Sequence, residues 1–343
     1  MNNGKILVTG GAGYIGAHTV VELIEAGYDV VIVDDLSRSD KTLLDGIEKV
    51  TGTVVNFHKG DCRDKRFLTQ VFQSAGPITS VLHFAAYKSV GESVDKPLLY
   101  FDNNLNSLIV LLETMLENNV TDFIFSSSCT VYGQPDIIPV NEEAPFKKAE
   151  SAYGSTKQMC EHILEDVASK GLKIVSLRYF NPIGAHPSAL LGEVPLGTPN
   201  NLVPFITQTA AGVRERITVF GNDYDTPDGS CIRDFIHVVD LGIAHVKAMQ
   251  YLESRPEKKL YEAFNVGTGV GVSVLELIER FIAATNVNVP YVIGPRRPGD
   301  VVKVYADPTK VNKALGWKPK FTLDESLLHA WQWEKKIRKI NNQ

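Results

Sequence analysis

Short apolar runs recur along the first half of the chain, and stretches with helical spacing separate them. The runs at Lys5–Thr9, Asp29–Asp34, 54–58, 80–84, 122–127 and Lys173–Tyr179 read as strands. Such short runs, rich in Val, Ile, Leu and Phe, fit strands covered on both faces. Helical spacing fills the gaps, most clearly at 97–118 and 151–170. Just after the first run, Ile15, Thr19, Leu23 and Ala26 share one helical face. Strand and helix in strict alternation predict an α/β fold, a doubly wound parallel sheet of Rossmann type. Ligands in such a fold bind beyond the carboxyl ends of the strands. Those ends carry Asp34, Gly60-Asp61, Ala85-Ala86, Ser126 to Ser128 and Asn181, all small or polar.

The texture changes after Tyr179. Prolines and glycines crowd 181–201, and 221–229 (GNDYDTPDG) is rich in turn residues. Helices are expected near 238–252 and from Ser273, with a strand near 262–266. The pattern divides into a nucleotide-binding unit, 1–180, and a smaller α+β unit, 181–343, with segments returning to the sheet.

The stretch KILVTGGAGYIG gives the first strand a function. Gly10, Gly13 and Gly16 stand three apart between strand and helix. One makes the tight turn, one lets the backbone approach a pyrophosphate, and one lets helix and strand pack closely. The helix N-terminus offers free N–H groups and a positive dipole end to the phosphates. Asp34 follows about 20 residues later, where a carboxylate takes the adenosine ribose. It would repel a 2′-phosphate, which favours NAD over NADP.

Composition adds limits. At 343 residues the chain exceeds most single domains, so one large or two fused units are expected. A net charge of −5 and no basic patch argue against a nucleic acid partner. No apolar run is long enough to span a bilayer, and the first strand begins too early for a signal peptide. Cys62, Cys129, Cys160 and Cys231 lie far apart without metal-ligand spacing. Reduced thiols in a cytoplasmic protein are the simple account, and no metal is expected.

In SAYGSTK, Tyr153 and Lys157 are four apart and share a helical face. A nearby ammonium favours phenolate, which turns tyrosine into a usable base. With the glycine motif, this pair resembles the extended short-chain dehydrogenase/reductase superfamily. Within it, the chain is most similar to the UDP-galactose (UDP-glucose) 4-epimerases. The segments VTGGAGYIG, HFAAYKSVGES, FSSSCTVYG, SAYGSTK, RYFNPIGAHPS, PNNLVPFI, FGNDYDTPDGSCIRDFIHVVDL, NVGTG and RRPGD match in order along nearly the whole chain.

The resemblance implies tightly held NAD and inversion at C4 of a UDP-sugar through a 4-keto intermediate. It implies Tyr153 as the base on the 4-hydroxyl, Ser128 as a hydrogen-bond partner of the 4-oxygen, and Lys157 on the nicotinamide ribose. For the cofactor it implies Gly10, Gly13, Tyr14, Ile15, Gly16, Asp34, Asp61, Phe84, Ala85, Lys88, Asn103 and Phe180, besides Tyr153 and Lys157. For the sugar nucleotide it implies Ser128, Tyr153, Asn181, Asn201, Leu202, Arg233, Arg297 and Asp300. Paired arginines suit a diphosphate because a guanidinium binds two oxygens at once. Relatives hold a pocket residue four positions after the ribose-binding aspartate, here Val304; tyrosine there excludes a 2-acetamido group and a small residue admits it. Many relatives also pair the helices at 97–118 and 151–170 into a homodimer. Two other readings remain: a sugar-nucleotide 4,6-dehydratase, disfavoured because Cys129 and Thr130 stand where its acid/base carboxylates belong, and a non-catalytic NAD-binding regulator, disfavoured by the intact Ser128, Tyr153 and Lys157. His83, His186 and His237 read as structural.

Overall fold

The computed structural model describes residues 4–199, 201–297 and 300–340. The first half runs β1 (Lys5–Thr9), α1 (Tyr14–Glu25), β2 (Asp29–Asp34), α2 (Thr42–Thr51), β3 (Asn56–Lys59), α3 (Lys65–Ser74) and β4 (Ile78–His83). It continues through α4 (Val90–Asp95), α5 (Pro97–Glu117), β5 (Asp122–Ser128), α6 (Ala152–Ala168) and β6 (Lys173–Tyr179). Next come β7 (Asn181–Ile183), α7 (Leu202–Ala210), β8 (Ile217–Phe220), β9 (Ile232–Arg233), β10 (Phe235–His237) and α8 (Val238–Glu253). The rest is β11 (Leu260–Val266), β12 (Val272–Ser273), α9 (Val274–Thr285), β13 (Tyr291–Gly294), β14 (Lys303–Val304), α10 (Thr309–Leu315) and α11 (Leu323–Arg338).

Seven strands form the main sheet in the order β11-β6-β5-β4-β1-β2-β3, all parallel. From β1 the chain winds outward to β3, then returns to β4 on the other side of β1. Such a reversal opens a crevice at the carboxyl ends of β1 and β4. β11 is the segment of the second half that returns to the sheet, paired with β6 from Leu260 to Val266.

Side-chain alternation along the strands builds two cores. Ile6 and Val8 of β1 join Val20, Ile32, Leu241, Met249 and Trp317 on one face. Leu7 points the other way, to Val31, Val81, Leu111, Phe123 and Leu164. Short β7–β10, β12–β9–β14 and β8–β13 pairings, with α7, α9 and α11, make a third core around Ile206, Phe281 and Trp331.

Two expectations change. Helix α1 is not buried on one face only: Tyr14, Ala17, His18, Val20, Val21 and Leu23 are all covered, while Ala26 is exposed. The cause is α8, which lies on the same face of the sheet and packs along α1. The third strand begins at Asn56, and Val54 is exposed in the turn before it.

Candidate active site

The glycine turn lies where β1 ends. Gly10 has φ +71°, a left-handed conformation that suits glycine, and a Cβ there would come within 2.6 Å of the Ala85 amide nitrogen. A Cβ on Gly16 would collide with the Gly10 carbonyl. Gly13 precedes α1 with no side-chain cap, so the first-turn N–H groups stay free toward the cleft. This cradle fits a dinucleotide pyrophosphate.

Asp34 ends β2, buried at the edge of the same cleft. It accepts from Ala12 N at 3.1 Å, Leu36 N at 2.9 Å and Ser39 Oγ at 2.7 Å. Burial raises its pKa, and those three bonds oppose the rise. Asp61 lines the cleft with both carboxylate oxygens engaged by Arg63, the closest pair at 2.7 Å. Phe84, Ala85, Lys88, Asn103 and Phe180 stand on the same walls, with Tyr14 and Ile15. Phe84 packs on the His245 ring, and the Asn103 amide donates to Asn104.

Ser128, Tyr153 and Lys157 meet farther along this cleft. Ser128 closes β5, so the sheet fixes its position. Its hydroxyl accepts from Thr130 N at 3.2 Å and also faces the Tyr153 phenol. Ser151 caps α6 by accepting from Gly154 N, which puts Tyr153 in the first turn and Lys157 one turn on. Lys157 Nζ lies 5.9 Å from the Tyr153 ring centre. It donates to the Ser126 carbonyl at 2.5 Å and sits over the Phe125 ring.

The electrostatics correct one expectation. Burial, with Tyr179 nearby, pushes the Tyr153 phenol well above the ordinary tyrosine range, while the Ser128 hydroxyl works the other way. Burial pulls the Lys157 ammonium down to about 8. Desolvation therefore outweighs the depression of the phenol expected from Lys157.

The sugar-nucleotide residues fall into two groups. Asn181, at the start of β7, and Asn201, before α7, line the cleft, and Leu202 opens α7 beside Asn201. Asn181 is anchored through its N–H to the Asp234 carbonyl. Arg233, Arg297 and Asp300 cluster apart from these, with Asp300 2.6 Å from Arg297 and 3.7 Å from Arg233. The exposed Phe220 ring stands beside Arg297. Val304 pairs with Arg233 through β14 and β9, and its buried side chain packs with Val131 and Phe180. It thus lies one layer behind Phe180 and Cys129 on the cleft wall. Tyr305, its neighbour, turns its ring to Gly271.

Sequence reasoning missed several cleft residues. Tyr179 contacts Ser126 through its hydroxyl, and the matched segment RYFNPIGAHPS could have signalled it. Glu193 accepts from Asn201 Nδ2 at 2.7 Å and faces Lys88 Nζ at 3.4 Å. Arg38 reaches Glu92 across the cleft. No spacing rule marks Glu193 or Arg38: Glu193 meets Asn201 across a loop and Lys88 far back in the chain, and Arg38 meets Glu92 54 residues on. His83 bonds Thr9 inside the sheet, and His237 caps α8 by accepting from Val239 N.

The chain was compared with known proteins. A family model described as GDP-mannose 4,6 dehydratase matches residues 7–329. UDP-glucose 4-epimerase from Dictyostelium discoideum is 48% identical over 332 residues, covering 96% of this chain and 95% of that protein. The crystal structure of UDP-glucose 4-epimerase from Bifidobacterium longum, in complex with NAD+ and UDP, superposes with a TM-score of 0.93. It is 46% identical and covers 97% of this chain and 98% of its own. The UDP-Glc/GlcNAc 4-epimerase from Campylobacter jejuni is 34% identical, with a TM-score of 0.82 over 97% of this chain and all of its own. Cys129 and Thr130, not carboxylates, follow Ser128 on the cleft wall, which separates this site from the dehydratase chemistry that names the family model. The chain belongs to the UDP-glucose 4-epimerase family, within the extended short-chain dehydrogenase/reductase superfamily.

Proposed function

We propose that this chain is an NAD-dependent UDP-glucose 4-epimerase that interconverts UDP-galactose and UDP-glucose. The observation that carries the reading is the meeting of Ser128, Tyr153 and Lys157 in one cleft with the glycine cradle and Asp34. When bound, NAD accepts hydride from C4 of the sugar and returns it to the opposite face. Tyr153 takes the 4-hydroxyl proton as the hydride leaves and gives it back on return. Ser128 holds the 4-oxygen from the end of β5, and its hydroxyl also favours the phenolate. Lys157 sets a positive charge beside the phenol and contacts the nicotinamide ribose. Asp34 takes the adenosine ribose, Lys88 the cofactor phosphates, and Asp61 the adenine amino group in exchange for Arg63. Asn181, Asn201 and Leu202 hold the sugar nucleotide, Arg233 and Arg297 its diphosphate, and Asp300 the uridine ribose.

The test is conversion of UDP-galactose to UDP-glucose by purified protein without added NAD. No product, or product only when NAD is supplied, overturns the reading of a tightly held cofactor.

Val304 extends the proposal to UDP-N-acetylgalactosamine, because valine lacks the ring that would fill the space for an acetamido group. A relative named for both hexose and N-acetyl substrates supports this breadth. The division at residue 180 separates the cofactor half from the sugar-nucleotide half. A cytoplasmic homodimer completes the reading: the four cysteines are free thiols, and α5 exposes Leu98, Ile109 and Leu116. Among the described residues no helix is long and apolar enough to cross a membrane.

A further inference from the structure

Arg38 leaves the loop after β2, four residues beyond Asp34. Its Nη2 donates to Glu92 Oε1 at 2.9 Å, and its guanidinium lies over the Tyr87 ring at 4.5 Å. Tyr87 and Glu92 belong to the segment between β4 and the end of α4. The sheet order there is β4-β1-β2. A bridge from the β2 side to the β4 side therefore crosses the end of β1, where the glycine turn lies. Arg38, Tyr87 and Glu92 all line the cleft with Gly10, Gly13 and Asp34.

The receiving side is braced. Glu92 accepts from the Tyr100 hydroxyl at 3.0 Å through its second oxygen. That hydroxyl also accepts from Ser89 N. Tyr87 packs on Tyr100 and donates its N–H to Asn104. Arg38 instead reaches over from a loop, its side chain 48% exposed. It is the movable half of the contact, and Tyr87 with Glu92 is the fixed half.

We propose that Arg38 is a strap that closes the cleft over the glycine turn and sets how long NAD stays bound. This rests on the NAD reading above. Asp34 selects the ribose, whereas Arg38 adds retention. A guanidinium suits the task because it can pair with a carboxylate at its edge and stack on a ring through its face. The solvent-facing ion pair makes the strap sensitive to salt, since screening weakens exposed pairs far more than buried ones.

The experiment measures NAD release from the purified holoenzyme. After rapid dilution, freed NAD is captured by alcohol dehydrogenase with ethanol and read as NADH. Arg38→Met keeps the aliphatic stem and loses the pair and the stacking cation. It should release NAD about tenfold faster at low salt, the scale of one ion pair together with one cation–π contact. From about 0.01 M to 1 M salt, the screening length falls from roughly 30 Å to 3 Å. The wild-type rate should climb toward that of the variant over this range, so that the gap closes. Glu92→Gln should also speed release and flatten the salt dependence, but by less than Arg38→Met, because it weakens the pair and leaves Arg38 stacked on Tyr87. Release from Arg38→Met at the wild-type rate overturns the strap, and so does a gap that salt leaves unchanged or a Glu92→Gln rate equal to wild type. Protein that purifies without nicotinamide cofactor overturns the functional reading itself, and this inference with it.

Discussion

At the scale of the residue, the proposed chemistry rests on a phenol whose pKa burial raises. Burial raises Tyr153, and the groups that favour its anion are the Ser128 hydroxyl and the Lys157 charge. Tyr153→Phe should fold, keep NAD and lose at least about a hundredfold in kcat, the scale of general acid–base catalysis. A loss smaller than threefold would remove Tyr153 from the mechanism. Lys157 itself is poised, because burial brings its pKa to about 8. The ammonium is complete below that pH and is lost as pH rises through it. Wild-type kcat/KM should therefore decline on the alkaline side with a midpoint near 8. Lys157→Ala should lose that limb, and its remaining activity should peak at higher pH, since the phenol has lost its cation. An unchanged pH profile counts against the role. Val304 makes a third case. Val304→Tyr adds a ring where the side chain already packs against Val131 and Phe180. A ring that displaces Phe180 or turns past it toward the cleft takes the space of the acetamido group, so N-acetyl turnover should vanish while UDP-galactose turnover survives. Activity of the tyrosine variant on both sugars would show that another residue sets the range.

At the scale of the element, α6 carries Tyr153 and Lys157, and a buried polar network docks it. Glu161 lies one turn beyond Lys157 and pairs with Arg178 of β6 at 2.6 Å, both almost fully buried. Ser127 of β5 and Tyr261 of β11 also donate to Glu161. One carboxylate thus ties α6 to three strands. Arg178→Met should destabilise the fold by about 3–5 kcal/mol in denaturant melts, because an unpaired charge stays buried. Adding Glu161→Leu should recover part of that loss, because the orphaned charge is then gone. Two independent, additive losses would contradict the pairing.

This network also marks where sequence reading stops. Apolar runs and helical spacing sufficed for β1, β2, β5, β6 and the helices α5 and α6, because local periodicity encodes them. The glycine turn was legible for the same reason: backbone geometry restricts those positions to glycine. Burial around all of α1 was not legible, since α8 supplies it from more than 200 residues away. Glu161 with Arg178, Arg38 with Glu92, and Glu193 with Asn201 were hidden likewise. Each pair forms only after strands and loops are ordered, and no spacing rule links its partners. Even the net direction of the Tyr153 shift has a non-local cause, the exclusion of water by the assembled cleft.

At the scale of the whole molecule, the long helix α5 leaves a surface that one chain does not cover. Leu98, Ile109 and Leu116 are spaced eleven and seven residues apart, so they return to one side of the helix after whole turns. An adjoining face, with Leu108, Leu111, Leu112 and Met115, is spent on the core beneath the sheet. α6 packs beside α5, and its Met159 is likewise exposed. An antiparallel second copy would lay the same two helices against these, an isologous contact in which each residue serves both subunits. The protein should therefore run as twice the chain mass by light scattering at micromolar concentration. Ile109→Glu places a charge in the middle of that stripe, and it should shift the mass to a single chain with the fold intact by circular dichroism. Because α6 would belong to the same bundle, the monomer should also melt at a lower temperature. A wild-type mass of one chain, or an Ile109→Glu variant that stays paired, would show that this stripe is not where two copies meet.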